Sequence, residues 1–107
     1  MSDCIFCKII NKEIPSKFIF ESENIIAFND IHPQAPTHIL ILPKKHIETI
    51  NDMEKEDINL IGELFYTAKQ IAKEKGISSY RLAINVGEDA GQSVFHIHLH
   101  LLAGKKI

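Results

Sequence analysis

The chain has 107 residues, 45% hydrophobic and 24% charged, with a formal net charge of −2, the balance of one water-soluble folded domain spanning residues 1–107. That charge leaves no footprint for a nucleic acid polymer, and no apolar run approaches the roughly 20 residues of a membrane span. The start, Met1-Ser-Asp-Cys-Ile-Phe-Cys-Lys8, lacks the basic leader and apolar stretch of a signal peptide, so the expected location is the cytoplasm, where thiols stay reduced.

Cys4 to Asn11 reads as a short helix with Asp3 as its N-cap, broken at Ile14-Pro15-Ser16. Phe18–Glu21 and Ile25–Asn29 read as two strands joined by a polar Ser-Glu-Asn turn. Asp30 to Thr37 holds Pro33 and Pro36 and reads as a loop; His38–Pro43 is the next strand. Asn51 and Glu54 form a cap pair before a long helix over Glu56–Lys75. Its apolar face is Ile61, Leu64, Phe65, Ala68, Ile71 and Ala72, and Gly76 stops it. Tyr80–Asn85 is a strand, Gly87–Gly91 a turn, and Val94–Leu102 the last strand. Hairpin-linked strands around one long helix indicate an α+β domain with an antiparallel sheet of about five strands, one long helix and one short one.

Three segments carry chemistry. Half of the six histidines sit in His96-Ile-His98-Leu-His100. Residues two apart on a strand share a face, so the imidazoles look one way while Ile97, Leu99 and Leu101 look toward a core. Neutral imidazoles suit a base, a nucleophile or a metal ligand; the plainer reading is a half-buried strand with surface histidines. Gly91-Gln92-Ser93-Val94 leads into that strand. Its backbone N–H groups can form an anion nest, to which Gln92 and Ser93 add side-chain donors; the alternative is a simple hairpin loop. Cys4-Ile-Phe-Cys7 can supply two thiolates to a tetrahedral metal ion, with His46 and His96 as candidates for the remaining ligands. A redox pair and two buried thiols are the other readings of that spacing.

Asn85, Gly91-Gln-Ser-Val94 and His96-Ile-His-Leu-His-Leu-Leu102 resemble the signature of the histidine triad (HIT) superfamily. Asp30-Ile31, Pro33-Gln-Ala-Pro-Thr-His38 and Pro43-Lys-Lys-His46 resemble the upstream half of its nucleotide-binding Hint branch, so the likeness runs from about Cys4 to Gly104. It implies a HIT-like fold, paired into a two-fold dimer through the long helix and the Tyr80–Asn85 strand. It also implies a hydrolase of purine nucleoside 5′-phosphoramidates that works through a covalent nucleotidyl-histidine. His98 would be the nucleophile. His100, Gln92 and the nest would stabilise phosphoryl charge, and Ser93 would help protonate the leaving group.

For the nucleotide, the resemblance implies a purine between Phe6, Ile9, Phe28 and Ile31, ribose hydroxyls on Asp30, and Asn85 at ribose or phosphate. Without it, the four apolar residues read as ordinary core and Asp30 as a turn former. Gly91, Gln92, Ser93, Val94, His98 and His100 would surround the phosphate. Relatives with this cysteine pair resemble the chain in binding one structural zinc, here through Cys4, Cys7, His46 and His96. No organic cofactor is implied. His100 favours water as acceptor over the transferase branch, and Ser93 separates the chain from dinucleoside polyphosphate hydrolases of the Fhit type. Those hydrolases remain one alternative; a zinc-stabilised nucleotide-binding module with negligible turnover is another. The chain stops at Ile107, ahead of a C-terminal segment that many Hint relatives carry, which leaves leaving-group preference open. His32 and His38 receive no role.

Overall fold

The computed structural model describes residues 4–104. Five antiparallel strands form one sheet: β1 Phe18–Glu21, β2 Ile25–Asn29, β3 Thr37–Pro43, β4 Arg81–Ala83 and β5 Leu99–Ala103, in the order β1-β2-β3-β5-β4. Two helices, α1 Ile5–Ile10 and α2 Ile58–Glu74, complete the α+β architecture read from the sequence. No described helix is long and apolar enough to cross a membrane.

Strand alternation divides the apolar residues between two layers. Ile25 and Ala27 of β2, Ile39 and Ile41 of β3, and Leu99 and Leu101 of β5 pack on Leu64, Ala68, Ile71 and Ala72 of α2. The intervening residues Ile26, Phe28, Leu40 and Leu42 face the opposite way, against Phe6 of α1. The β3–β5 register sets Leu40 opposite His100 and His38 opposite Leu102. His38 and His100 are therefore diagonal neighbours on the α1 side, where the cavity lies.

Several boundaries differ from the sequence reading, each for a local reason. Asp3 lies outside the described residues; Cys4 is the N-cap of α1, its Sγ accepting from the Cys7 N–H at 3.3 Å. Asn51 and Glu54 do not cap one helix together. Thr49 Oγ1 accepts from the Asn51 N–H, and Glu54 shares a capping box with Asp57, so short 3₁₀ turns at 50–52 and 55–57 precede α2. Lys45 bonds the Asp57 carboxylate at 2.6 Å and holds its pKa down, tying the end of β3 to the start of α2. The buried face of α2 is rotated from the predicted one: Thr67 is buried and Phe65 exposed. Gly76 stops the helix in the left-handed region at φ 71°.

The predicted strands Tyr80–Asn85 and Val94–Leu102 shrink to Arg81–Ala83 and Leu99–Ala103. His96 and His98 precede β5 because the backbone there leaves the ladder. The His96 N–H turns back to Val94 O at 3.0 Å, and the Ile97 N–H donates to Ile47 O at 2.8 Å. The alternation survives this departure: Ile97, Leu99 and Leu101 remain in the α2 core.

Candidate active site and metal centre

A cavity of about 510 Å³ opens on the α1 side of the sheet. Phe6 and Ile9 come from α1, Phe28 from β2, and Asp30 and Ile31 from the loop that follows. Asn85, Gly91, Ser93 and Val94 close it from the loop after β4, with His98 and His100 beside them. The residues read as ordinary core divide here: Phe6 and Phe28 are 6% exposed, while Ile31 is 84% exposed beside the cavity.

His98 is buried, and its Nδ1–H donates to the His96 carbonyl at 2.7 Å. That bond fixes the tautomer and leaves the lone pair on Nε2. Phe6 stands edge-on to the ring, centroids 5.0 Å apart. Burial pushes the His98 pKa below the usual histidine range, although the His96 carbonyl opposes the shift, so the ring is neutral at neutral pH.

A relay sets the other imidazole. The Gln34 N–H donates to His38 Nδ1 at 3.1 Å, so His38 carries its proton on Nε2. That proton faces His100 Nδ1 at 2.9 Å, with Asp30 Oδ2 farther off at 3.5 Å. His100 consequently carries its proton on Nε2, a buried atom with no hydrogen-bond partner among the described residues. Burial, then the charges of His98 and His38, lower the His100 pKa to about 4. An orphaned buried donor costs about 1–3 kcal/mol. Here it sits on a ring whose centroid is 4.9 Å from that of His98, which is what a site awaiting an anionic oxygen requires.

Two expectations for the Gly91–Val94 segment need correction. Gln92 does not line the cavity. Its Oε1 accepts from the Gly87 N–H at 2.8 Å, and its Nε2 donates to Glu48 O at 2.7 Å and Val94 O at 3.0 Å. Both amide protons are committed, so Gln92 holds the loop and cannot stabilise a phosphoryl group directly. The nest is also narrower than predicted. The Gly91 N–H donates to Glu88 O and the Gln92 N–H to Gly87 O, leaving the Ser93 and Val94 N–H groups unbonded among the described residues. Gly91 supplies the left-handed turn, at φ 95°, that precedes them.

Behind the cavity, Cys4, Cys7, His46 and His96 bring four donor atoms within 4.8 Å of one another. Tetrahedral zinc with bonds of about 2.3 Å to sulfur and about 2.05 Å to nitrogen sets two nitrogens, or a nitrogen and a sulfur, about 3.3–3.6 Å apart. The separations are 3.4 Å for Cys4 Sγ–His96 Nδ1, 3.3 Å for Cys7 Sγ–His46 Nδ1 and 3.2 Å for His46 Nδ1–His96 Nδ1. His96 is fully buried and donates Nε2–H to the Pro43 carbonyl at 2.7 Å, which turns the Nδ1 lone pair toward the thiols. Burial lowers the His96 pKa to about 4 and raises that of Cys4. A neutral imidazole is the ligand form, and a divalent cation would draw the thiols to thiolates. The four residues fit zinc. His96 thus belongs to this cluster, while His98 and His100 belong to the cavity.

A family profile described as "Scavenger mRNA decapping enzyme C-term binding" matches residues 3–106. A HIT family hydrolase from Legionella pneumophila Philadelphia 1 superposes with a TM-score of 0.94 at 53% identity, over 97% of this chain and 95% of that one. The chain belongs to the histidine triad superfamily. Within it, the chain is 45% identical to the purine nucleoside phosphoramidase of Escherichia coli K12, over 98% of this chain and 90% of that protein. It is 49% identical to a 14 kDa zinc-binding protein of Zea mays, over 99% of this chain and 85% of that protein.

Sequence reasoning assigned His38 no role in this triad protein, and the structure sets it in hydrogen-bond contact with His100. The strand it begins, His38-Ile-Leu-Ile-Leu, is apolar on both faces, so periodicity does not show which way the imidazole points. The signal available was its place at the head of a strand that could pair with the histidine segment. Arg81 also lines the cavity and was not anticipated.

Proposed function

We propose that this chain is a histidine triad hydrolase of the Hint type. It cleaves purine nucleoside 5′-phosphoramidates through a covalent nucleotidyl-His98. The observation that carries this reading is the pairing of a His98 Nε2 lone pair with the unpartnered Nε2–H of His100, at the wall of one apolar cavity. The name of the Escherichia coli relative supports a phosphoramidate substrate over a dinucleoside polyphosphate.

In the first step His98 Nε2 attacks the α-phosphorus and the bond to the leaving nitrogen breaks. The imidazole becomes cationic, and the His96 carbonyl on Nδ1–H stabilises that charge. His100 Nε2–H and the Ser93 and Val94 N–H groups bind the phosphoryl oxygens. The departing nitrogen takes a proton from the Ser93 hydroxyl or from water, without which an amine leaves poorly. Water then attacks the phosphorus and gives up a proton, which restores Ser93 where its hydroxyl was the donor; the bond to His98 breaks, the imidazole returns to neutral, and the nucleoside monophosphate departs. Phe6, Ile9, Phe28 and Ile31 hold the purine, Asp30 the ribose hydroxyls, and Asn85 the ribose or phosphate.

Cys4, Cys7, His46 and His96 would hold one zinc ion per chain. With four protein ligands that site would be closed, and these residues would use the ion to brace α1 against the segment before β5, not for chemistry. Residues 1–107 form a single histidine triad domain in this reading, placed in the cytoplasm by its need for reduced thiols. Ile58, Phe65 and Tyr66 stand exposed on α2, and β4 is an edge strand. Both support a homodimer through these elements, which size-exclusion chromatography over a range of concentrations tests.

The deciding assay is AMP release from adenosine 5′-phosphoramidate and from diadenosine tetraphosphate. Faster release from the phosphoramidate upholds the reading. The reverse order marks a dinucleoside polyphosphate hydrolase, and tight AMP binding with no release marks a binding module.

A further inference from the structure

A second cavity of about 480 Å³ adjoins the first. The two share Ile5, Ser93 and Val94, so Ser93 stands on the partition between them. Glu48 and Phe95 form the outer walls, next to Cys4 and His46. His98 lines the first cavity and not the second. In a displacement at phosphorus the leaving atom departs on the side away from the attacking nitrogen. Ser93 borders both cavities, so the second cavity is the space that adjoins the phosphate site without being lined by His98.

Two observations give the groove a chemical character. Phe95 leaves an aromatic ring 41% exposed at its edge. Glu48 is an exposed carboxylate, the one lining side chain outside the metal cluster with a charge at neutral pH. A zinc ion held by two thiolates and two neutral imidazoles adds no net charge, so Glu48 sets the sign. The backbone that carries this exposed carboxylate is anchored beside the reaction site, through the Glu48 carbonyl. Gln92 Nε2 donates to both Glu48 O and Val94 O, which ties this wall to the partition.

We propose that this groove is the leaving-group subsite and that Glu48 makes it favour amines with an apolar chain ending in a positive charge. The proposal rests on the nucleotidyl-transfer reading above and adds its leaving-group specificity. When the phosphorus–nitrogen bond breaks, the amine leaves with the electron pair and gains a proton at the Ser93 partition. Its chain lies along Phe95 and its distal ammonium faces Glu48.

The test compares kcat/KM for three adenosine 5′-phosphoramidates of equal chain length, whose amines end in an ammonium, a methyl or a carboxylate group. The wild type should rank them in that order. Its ammonium-to-methyl ratio should be about two to five, the range an exposed ion pair supplies. That ratio should fall toward unity in Glu48→Gln and invert in Glu48→Lys. In the wild type it should also shrink at about 1 M salt, where the screening length is about 3 Å. A wild-type ratio that persists in Glu48→Gln, or that ignores salt, overturns the proposal while AMP release from all three substrates leaves the reaction assignment intact. If the wild type releases AMP from none of them, the reaction assignment fails and the proposal with it.

Discussion

Replacing Gln92 by leucine keeps most of the side-chain volume and removes three hydrogen bonds, those with Gly87 N, Glu48 O and Val94 O. Gln92 is 3% exposed, but its partners are only part-buried, so water recovers some of the loss. At about 1 kcal/mol for each bond, the variant should be less stable by about 3 kcal/mol. For 107 residues the entropy of unfolding turns that into a Tm lower by about 10–15 °C. Activity should fall as well, because the same side chain holds the segment that presents Ser93. Gln92→Glu is the companion variant. It can still accept from Gly87, but it sets a carboxylate against two carbonyl oxygens, so its Tm should fall at least as far. Circular dichroism melts beside steady-state kinetics make the measurement. A Gln92→Leu protein with native Tm and a large loss of kcat would refute the reasoning and return Gln92 to direct contact with the phosphoryl group.

Four further outcomes are expected. Elemental analysis should find about one zinc per chain; Cys4→Ser should lose it and lower Tm, and a metal-free wild type of equal stability would contradict the assignment. His38→Ala strips His100 Nδ1 of its donor, so kcat should fall about 10–100-fold, with KM changed less, because a misassigned tautomer removes one charge-stabilising donor; native kcat would exclude the relay. The lowered pKa of His98 places the acid limb of kcat/KM below pH 6.5, since the nucleophile must be neutral and stays so until the pH drops below the ordinary histidine range. Stability should fall over the same direction. From pH 6.5 to about 4 the unfolded chain binds a proton that His100 refuses when folded, so acid favours unfolding. An acid limb centred at or above pH 6.5 would show that burial does not control His98.

Most of the fold was legible because the strands announce themselves. Phe18–Glu21 and Ile25–Asn29 match their observed limits, since a polar turn separates two short apolar runs. The histidine segment kept its alternation of faces while losing its strand, because side-chain parity survives a backbone whose hydrogen bonds go elsewhere. Pattern alone could not foresee that Ile97 would bond to Ile47, fifty residues away in sequence. The same limit explains Gln92. Its residue type and its place beside the histidines pointed to phosphate, and only the folded loop shows three backbone groups consuming its amide. His38 was hidden by a strand apolar on both faces. The four metal donors were legible as residue types, but their mutual distances required β3, the residues before β5 and α1 to meet.

The central claim is that His98 Nε2 becomes bonded to phosphorus. Rapid-quench mass spectrometry during turnover of adenosine 5′-phosphoramidate tests it directly. The account predicts an adduct of AMP mass that maps to His98 and is lost in His98→Gly, together with AMP release. Sustained turnover with no adduct at that residue, or cleavage that survives His98→Gly, would contradict it.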